Sequence, residues 1–359
     1  MPTTTETRRP RLRQCVPYCK ISYWPPIAYF APMADQNSLA QRLNLSPLML
    51  IVTLLLVGVM LHTLFTLLVD QFWTQAGGAS ISALSSREDL EPNEIRLMKS
   101  LLVLAQVFWF AFPALVGAWL LGGQKQLMGL RLPKPAYLLV LALLLPTLAL
   151  PLVQATFIPP EAFKLLPGLE GLESWARSQE AAVERQLMQF LAQDLWLNIL
   201  VIALVPAVCE ELFFRGLLQP LAVKRFGPWL GVLVVAVGFS LFHLQAYGFF
   251  SRMLLGLLLG LTVVFTGSLW MSILAHLANN LAAVVLGTLA VQGKISEAWL
   301  DSRAVNGWPW VLGSLVLTAA LLYAVKRLAQ TPAPASEEID YGLAYEGLAA
   351  ENPPEEPHP

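Results

Sequence analysis

The stretch Cys209-Glu210-Glu211-Leu212-Phe213-Phe214-Arg215-Gly216 sets two carboxylates and a guanidinium within six consecutive positions of an otherwise apolar run. On a helix, Glu211 and Arg215 are four apart and share a face, whereas Glu210 is turned away by about 100°. Arg215 can therefore neutralise Glu211 and leave Glu210 free to act as a base. Two further pairs repeat the four-residue spacing, Phe239 with His243 and His276 with Asn280. The chemistry such a set supports is hydrolysis: a carboxylate activates water, imidazole delivers protons or holds a metal, and a side-chain amide steadies an oxyanion. Cys209 reads as a small buried hydrophobe rather than a nucleophile, because no pairing that favours a thiolate stands beside it. His62 has no polar partner a turn away and reads as a packing residue.

The elements that must position these groups follow from composition. Of 359 residues, 56% are hydrophobic and 13% are charged, against about a quarter charged in a soluble domain. The formal net charge is −1, so no basic surface for nucleic acid exists. Three cysteines, Cys15, Cys19 and Cys209, are too few for a disulfide scaffold. The apolar excess instead resolves into eight stretches of membrane-spanning character: 49–69, 100–122, 136–157, 195–217, 229–249, 252–267, 269–290 and 308–325. Each approximates the ~20 apolar residues a spanning helix needs, the sixth being short and meeting the seventh across Gly267 and Ser268. The fold class expected is an all-α integral membrane bundle of about eight transmembrane helices.

Basic residues set the orientation. Arg8, Arg9, Arg11, Arg13, Lys20 and Arg42 precede the first span, Lys125, Arg131 and Lys134 follow the second, Lys224 and Arg225 the fourth, and Lys326 and Arg327 the last. Residues 70–99 and 158–194 lean acidic. Both termini are thus expected on the cytoplasmic side, in a plasma membrane of prokaryotic type or an organellar membrane. Residues 169–191 are Glu-rich and favour a helix with Leu172, Trp175 and Leu187 on one face, lying along the outer surface or solvated as a connector. Residues 330–359 are acidic and Pro-rich, a composition of disorder. Residues 1–32 read as a mis-assigned start or a targeting segment, and Cys15 with Cys19 make a poor metal site. The chain divides into a tail 1–48, N-terminal spans 49–194, a core 195–290, a last loop and span 291–328, and a tail 329–359.

Among ionisable residues inside the spans only His62, Glu210, Glu211, Arg215, His243 and His276 occur, with Arg252 at an edge. Charge in hydrocarbon costs about 2.5–3.5 kcal/mol per residue on insertion scales, so it marks a functional interior. Pro206 removes a backbone hydrogen bond a turn before Glu210 and predicts a kink there. With the fourth span ending near Leu217, Glu210 lies ~10 Å from the cytoplasmic end, while His243 lies ~21 Å along its own span. That mismatch requires tilt or a later start of the fifth span.

Glu-Glu-x-x-x-Arg, Phe-x-x-x-His and His-x-x-x-Asn, in this order on successive spans, resemble the three signatures of the CPBP intramembrane proteases. That family includes the type II CAAX prenyl endopeptidases and bacteriocin-processing or immunity relatives. The resemblance covers residues 195–290. It implies that Glu210 is the general base for the attacking water with His243 beside it, that His276 and Asn280 stabilise the oxyanion, that Glu211 and Arg215 hold the site together, and that Phe239 is a wall. It also implies a peptide or protein substrate in the bilayer, prenylated or bacteriocin-like. The family's metalloprotease label leaves zinc on Glu210, His243 and His276 as an alternative to a metal-free Glu–His mechanism, although His-Glu-x-x-His is absent.

Two other classes compete. An immunity or scaffold protein would keep the polar residues for assembly, but no motif residue is missing. A carrier would use Glu210 and Glu211 as a relay, but carriers show repeated halves and here the polar residues cluster in one half. Trp229, Trp308 and Trp310 suit an interfacial belt, and Gly256 with Gly260 a helix-packing face.

Overall fold

The computed structural model describes residues 46–121, 128–159, 162, 168, 170–296 and 307–329. Both tails, with Cys15, Cys19 and the acidic Pro-rich end, lie outside the described residues. Within them the chain is all helical: α1 Pro47–Gln75, α2 Ile81–Leu84, α3 Pro92–Leu120, α4 Leu138–Gln154, α5 Glu170–Leu191, α6 Leu195–Phe226, α7 Pro228–Leu241, α8 Phe249–Thr266, α9 Leu269–Val291 and α10 Trp308–Leu328. Six of these, α1, α3, α6, α8, α9 and α10, are long and apolar enough to cross a membrane. The chain is an integral membrane protein.

All eight expected stretches contain a helix, but two fall short of a span. Helix α4 has 17 residues and α7 has 14, which at 1.5 Å per residue reach only ~26 and ~21 Å of a ~30 Å hydrocarbon core. Helix α7 stops at Leu241 because the chain turns there. The N–H groups of His243 and Leu244 reach back only three residues, to Ser240 and Leu241, and Leu244 enters the left-handed region at φ 52°. Leucine rarely adopts that conformation. The turn is held by Ser240 Oγ donating to the Phe249 carbonyl at 2.6 Å and by Arg252 Nη2 donating to the Gln245 carbonyl at 2.5 Å.

The fourth expected span errs the other way. Helix α6 runs 32 residues to Phe226 rather than ending at Leu217. Glu210 is therefore sixteen residues, ~24 Å, from that end, and His243 is fifteen residues, ~22 Å, beyond Pro228. The two depths agree, and no tilt is needed: α6 and α7 form an antiparallel hairpin about Gly227. Helix α8 then runs parallel to α6, since Arg215 Nη2 and Gln219 Nε2 donate at 3.0 Å to the carbonyls of Gly256 and Gly260. Gly256 and Gly260 do form the packing face. A Cβ on Gly260 would lie 2.7 Å from Val232 Cγ1, and one on Gly256 would lie 3.2 Å from Ala236.

Three π-helical segments interrupt the long helices, Val107–Ala111 in α3 and Ile199–Leu204 and Leu212–Leu218 in α6. Each ends two residues before a proline, Pro113, Pro206 and Pro220. A proline ring clashes with the carbonyl four residues back and offers it no N–H; widening the preceding turn moves that carbonyl aside. The expected distortion at Pro206 thus takes the form of a π segment, a feature frequent at functional sites.

Of the expected helical segment 169–191, residues 170–191 are the helix α5. Leu172, Trp175 and Leu187 are all exposed, while its C-terminal Phe190 is buried against Leu84, Ile95, Met98 and Leu101. Lys99, expected in a loop, lies inside α3 and is 1% exposed. Its ammonium donates to the carbonyls of Phe190 and Gln193 at 3.2 and 3.3 Å, alongside Asn198 Nδ2 at 2.7 Å to each. A cation at a helix C-terminus satisfies carbonyls that the helix leaves unpaired. Helix α5 is thereby pinned to α3 and α6. At its middle, Glu180 accepts from Gln245 Nε2 at 2.7 Å, so α5 also holds the turn that carries His243.

Candidate active site

Helix α6 delivers three charges into a closed interior. Glu211 is 0% and Arg215 1% exposed, with Arg215 Nη1 2.6 Å from Glu211 Oε1. A buried ion pair is supported by further hydrogen bonds to its members. Here the Gly256 carbonyl accepts from Arg215 Nη2, and His276 Nδ1 lies 2.9 Å from Glu211 Oε1, while Arg215 Nε and Glu211 Oε2 stay buried without a partner. A carboxylate oxygen paired with arginine can only accept, so Nδ1 carries the proton and Nε2 of His276 faces away from Glu211.

It faces Glu210. The two side chains stand 4.0 Å apart, His276 Nε2 to Glu210 Oε2. Glu210 is 6% exposed, and among the described residues no lysine or arginine forms an ion pair with it. Its Oε1 accepts from Gln106 Nε2 at 3.0 Å, and its Oε2 is buried without a hydrogen-bond partner. Each glutamate keeps a buried Oε2 without a hydrogen-bond partner, so the neighbours differ in charge rather than in saturation: Glu211 Oε1 meets a guanidinium and an imidazole, whereas Glu210 Oε1 meets only a neutral amide.

His243 lies in the turn beyond α7, half-buried, within electrostatic reach of Glu210. Its Nδ1 is 2.9 Å from the Phe239 carbonyl. The carbonyl can only accept, so Nδ1 is the donor and Nε2 of the neutral ring keeps its lone pair. Phe239 fills the middle of the cluster at 1% exposure. Its ring meets His243 and His276 edge-on, with centroids 5.0 and 5.7 Å away, and lies 4.6 Å under the Arg215 guanidinium. Glu210, Glu211, Arg215, Phe239, His243 and His276 therefore come together. Asn280 sits one turn after His276, half-buried, and accepts from Asn279 Nδ2 at 3.2 Å rather than bonding a carboxylate of the cluster.

Cys209 packs with Phe213, Phe214 and Leu217 in an apolar cluster and is a free, buried thiol. His62 stands edge-on to Trp109, with ring centroids 5.5 Å apart. The proposed zinc set does not fit. Among the described residues no group of three or more His, Cys, Asp or Glu side chains is arranged to hold a metal, Glu210, His243 and His276 included.

Four polar residues at or beside the cluster, Gln106, Gln219, Glu180 and Gln245, were not legible from charge alone. Gln106 is an uncharged amide inside the expected span 100–122, where counting amides would have found it, whereas Gln219 lies beyond the expected end of the fourth span at Leu217 and inside a helix that continues to Phe226. The Glu180–Gln245 contact joins residues 65 apart and leaves no local signal.

Residues 192–282 match the family model described as "Type II CAAX prenyl endopeptidase Rce1-like". The match begins three residues before α6, takes in every residue of the cluster except Gln106, and ends within α9. No curated protein and no solved structure matches the chain. Residues 192–282 are thus an Rce1-like type II CAAX prenyl endopeptidase domain, set in a chain of membrane helices.

Proposed function

We propose that the protein is an intramembrane endopeptidase that hydrolyses a peptide bond of a membrane-associated substrate, with Glu210 activating the attacking water. The observation that carries this reading is the division of labour between adjacent carboxylates: Glu211 is neutralised by Arg215 and bonded by His276 Nδ1, whereas Glu210 has no arginine on it and presents Oε2 4.0 Å from an imidazole nitrogen. The water oxygen bonds the scissile carbonyl carbon while Glu210 takes its proton. The amide of Asn280, one turn on, and His276 Nε2, which donates once its ring carries a second proton, stabilise the oxyanion, for which Asn280 needs to turn from Asn279. His243, with Nδ1 committed to the Phe239 carbonyl, offers Nε2 to hold the water and pass the proton to the leaving nitrogen. Glu211 and Arg215 position His276, and Phe239 walls the cluster. No step uses a metal.

The substrate class that the matched family suggests is a prenylated CAAX-type chain or another membrane-tethered peptide. Residues 195–290, helices α6 to α9, form the catalytic core. Lys224, Arg225, Lys326 and Arg327 in the last turns of α6 and α10 support a cytoplasmic position for those ends. The test is cleavage of a library of membrane-tethered peptides, prenylated ones included, by the purified chain with and without chelator. Glu210→Ala and His243→Ala are each expected to lower cleavage by ~10³-fold or more while the protein accumulates normally in the membrane. Normal cleavage by either variant refutes the mechanism, and loss of cleavage in chelator refutes its metal-free form.

A further inference from the structure

Among the described residues Glu210 accepts a hydrogen bond from one side chain outside the matched stretch, the amide of Gln106 on α3, and the reaction as written leaves that amide without a role. Gln106 closes the α-helical part of α3, directly before the π segment Val107–Ala111 that Pro113 imposes. Its Nε2 donates to Glu210 Oε1 at 3.0 Å, yet its own Oε1 is buried without a partner, as is Glu210 Oε2. An amide turned the other way would set its carbonyl oxygen against a carboxylate oxygen, two acceptors with no proton between them. The observed orientation is therefore fixed by Glu210. In return it fixes the rotation of the Glu210 carboxyl group: with Oε1 tied to α3, Oε2 is the oxygen presented to His276 Nε2 at 4.0 Å.

We propose that Gln106 is a positioning residue of the hydrolytic site, which locks one oxygen of Glu210 and so leaves Oε2 as the single oxygen that takes the proton from water. This rests on the hydrolytic reading above. As the water oxygen bonds the carbonyl carbon, an O–H bond breaks, the proton moves to Glu210 Oε2, and the carbonyl π pair becomes the oxyanion. When the intermediate collapses the C–N bond breaks and the proton leaves with the amine. Gln106 exchanges neither proton nor electrons in this sequence. It acts only by holding geometry, the kind of contact whose loss displaces a reacting atom without unfolding the site.

The experiment compares Gln106→Leu and Gln106→Asn with the wild-type full chain, purified into lipid nanodiscs. The first readout is steady-state cleavage of a peptide that the wild type hydrolyses. Gln106→Leu should lower kcat by about 10–100-fold with KM within about twofold, and Gln106→Asn, an amide one methylene short, should fall between. The second readout needs no turnover: the infrared carboxylate stretch that disappears in Glu210→Gln should shift in Gln106→Leu, because one oxygen loses its donor. An unshifted band overturns the proposal whatever becomes of the hydrolytic reading. A shifted band with unchanged kcat shows a hydrogen bond that positions nothing and also overturns it. If the band shifts but the wild type cleaves no library member, the hydrolytic reading fails first, and the positioning role fails with it. Should Gln106→Leu not accumulate, Gln106→Asn carries both readouts.

Discussion

Helices α8 and α10 are almost equally apolar, with mean hydropathy of 1.9 and 1.7 over their most hydrophobic windows, yet 56% of the α8 window is buried and only 17% of the α10 window. In lipid, leucine gains nothing by moving from hydrocarbon tails into a protein interior, so hydropathy cannot tell an inner helix from an outer one. What separates the two is small and polar residues. Helix α8 offers the carbonyls of Gly256 and Gly260 to Arg215 and Gln219. Helix α10 turns Val316, Leu317 and Trp308 outward, and buries Ser314 and Thr318, with Ser314 Oγ donating to the Leu148 carbonyl at 2.6 Å. The first region is organised around an ion pair, the second around a single polar stripe.

The largest effect should come from cutting that ion pair. Arg215→Met leaves Glu211 as a buried carboxylate with His276 as its remaining partner, since Glu211 is 0% exposed. Removing one member of a buried pair typically costs about 3–5 kcal/mol, much of the stability of a membrane bundle. The variant should accumulate poorly and unfold at a clearly lower temperature in detergent, whereas Glu210→Ala, which breaks no ion pair, should keep the wild-type midpoint. Equal midpoints for the two variants would break the contrast between the spent carboxylate and the free one.

That contrast was legible before any coordinates. The i,i+4 spacing of Glu211 and Arg215 fixes which carboxylate is neutralised, and the order of the three motifs selects α6, α7 and α9 as their carriers. The depth of the residues was not legible, because apolarity fades near Leu217 while the helix continues to Phe226 on Val223 and Pro220 packing. Lys99 misled for the opposite reason: a lysine at a span boundary looks like a loop residue, and only the carbonyls of Phe190 and Gln193, more than ninety residues on, show why it is inside. Contacts across such separations leave no periodicity to read.

A smaller effect distinguishes tight from open glycines. A Cβ on Gly231 of α7 would lie 2.6–2.8 Å from the backbone of Ala222 and Val223 in α6. Backbone cannot step aside as a side-chain end can, so Gly231→Ala must wedge the α6–α7 hairpin apart. Overpacking of this kind costs about 1–3 kcal/mol. Because that hairpin sets Glu210 and His243 at one depth, cleavage should fall along with the melting temperature. Gly313 of α10 has open space around its Cβ position, and Gly313→Ala should instead gain up to ~1 kcal/mol from helix propensity. A destabilised Gly313→Ala would show that α10 is covered by something its exposed residues do not reveal.

The smallest effect is the most direct measure of what lipid does. Val316 is 65% and Leu317 52% exposed on α10. If those surfaces meet acyl chains, exchanging Val316→Leu or Leu317→Val swaps one hydrocarbon contact for another, and each change should stay within about 0.5 kcal/mol. The same exchange at Leu259 of α8, which is 0% exposed and packed in the apolar cluster with Val232 and Val264, should lower the unfolding midpoint, since Leu259→Val opens a methylene-sized void costing on the order of 1 kcal/mol. The two positions carry the same residue type in helices of nearly equal hydropathy. A difference between them therefore measures packing alone, and the absence of one would mean that α8 is no better packed than α10.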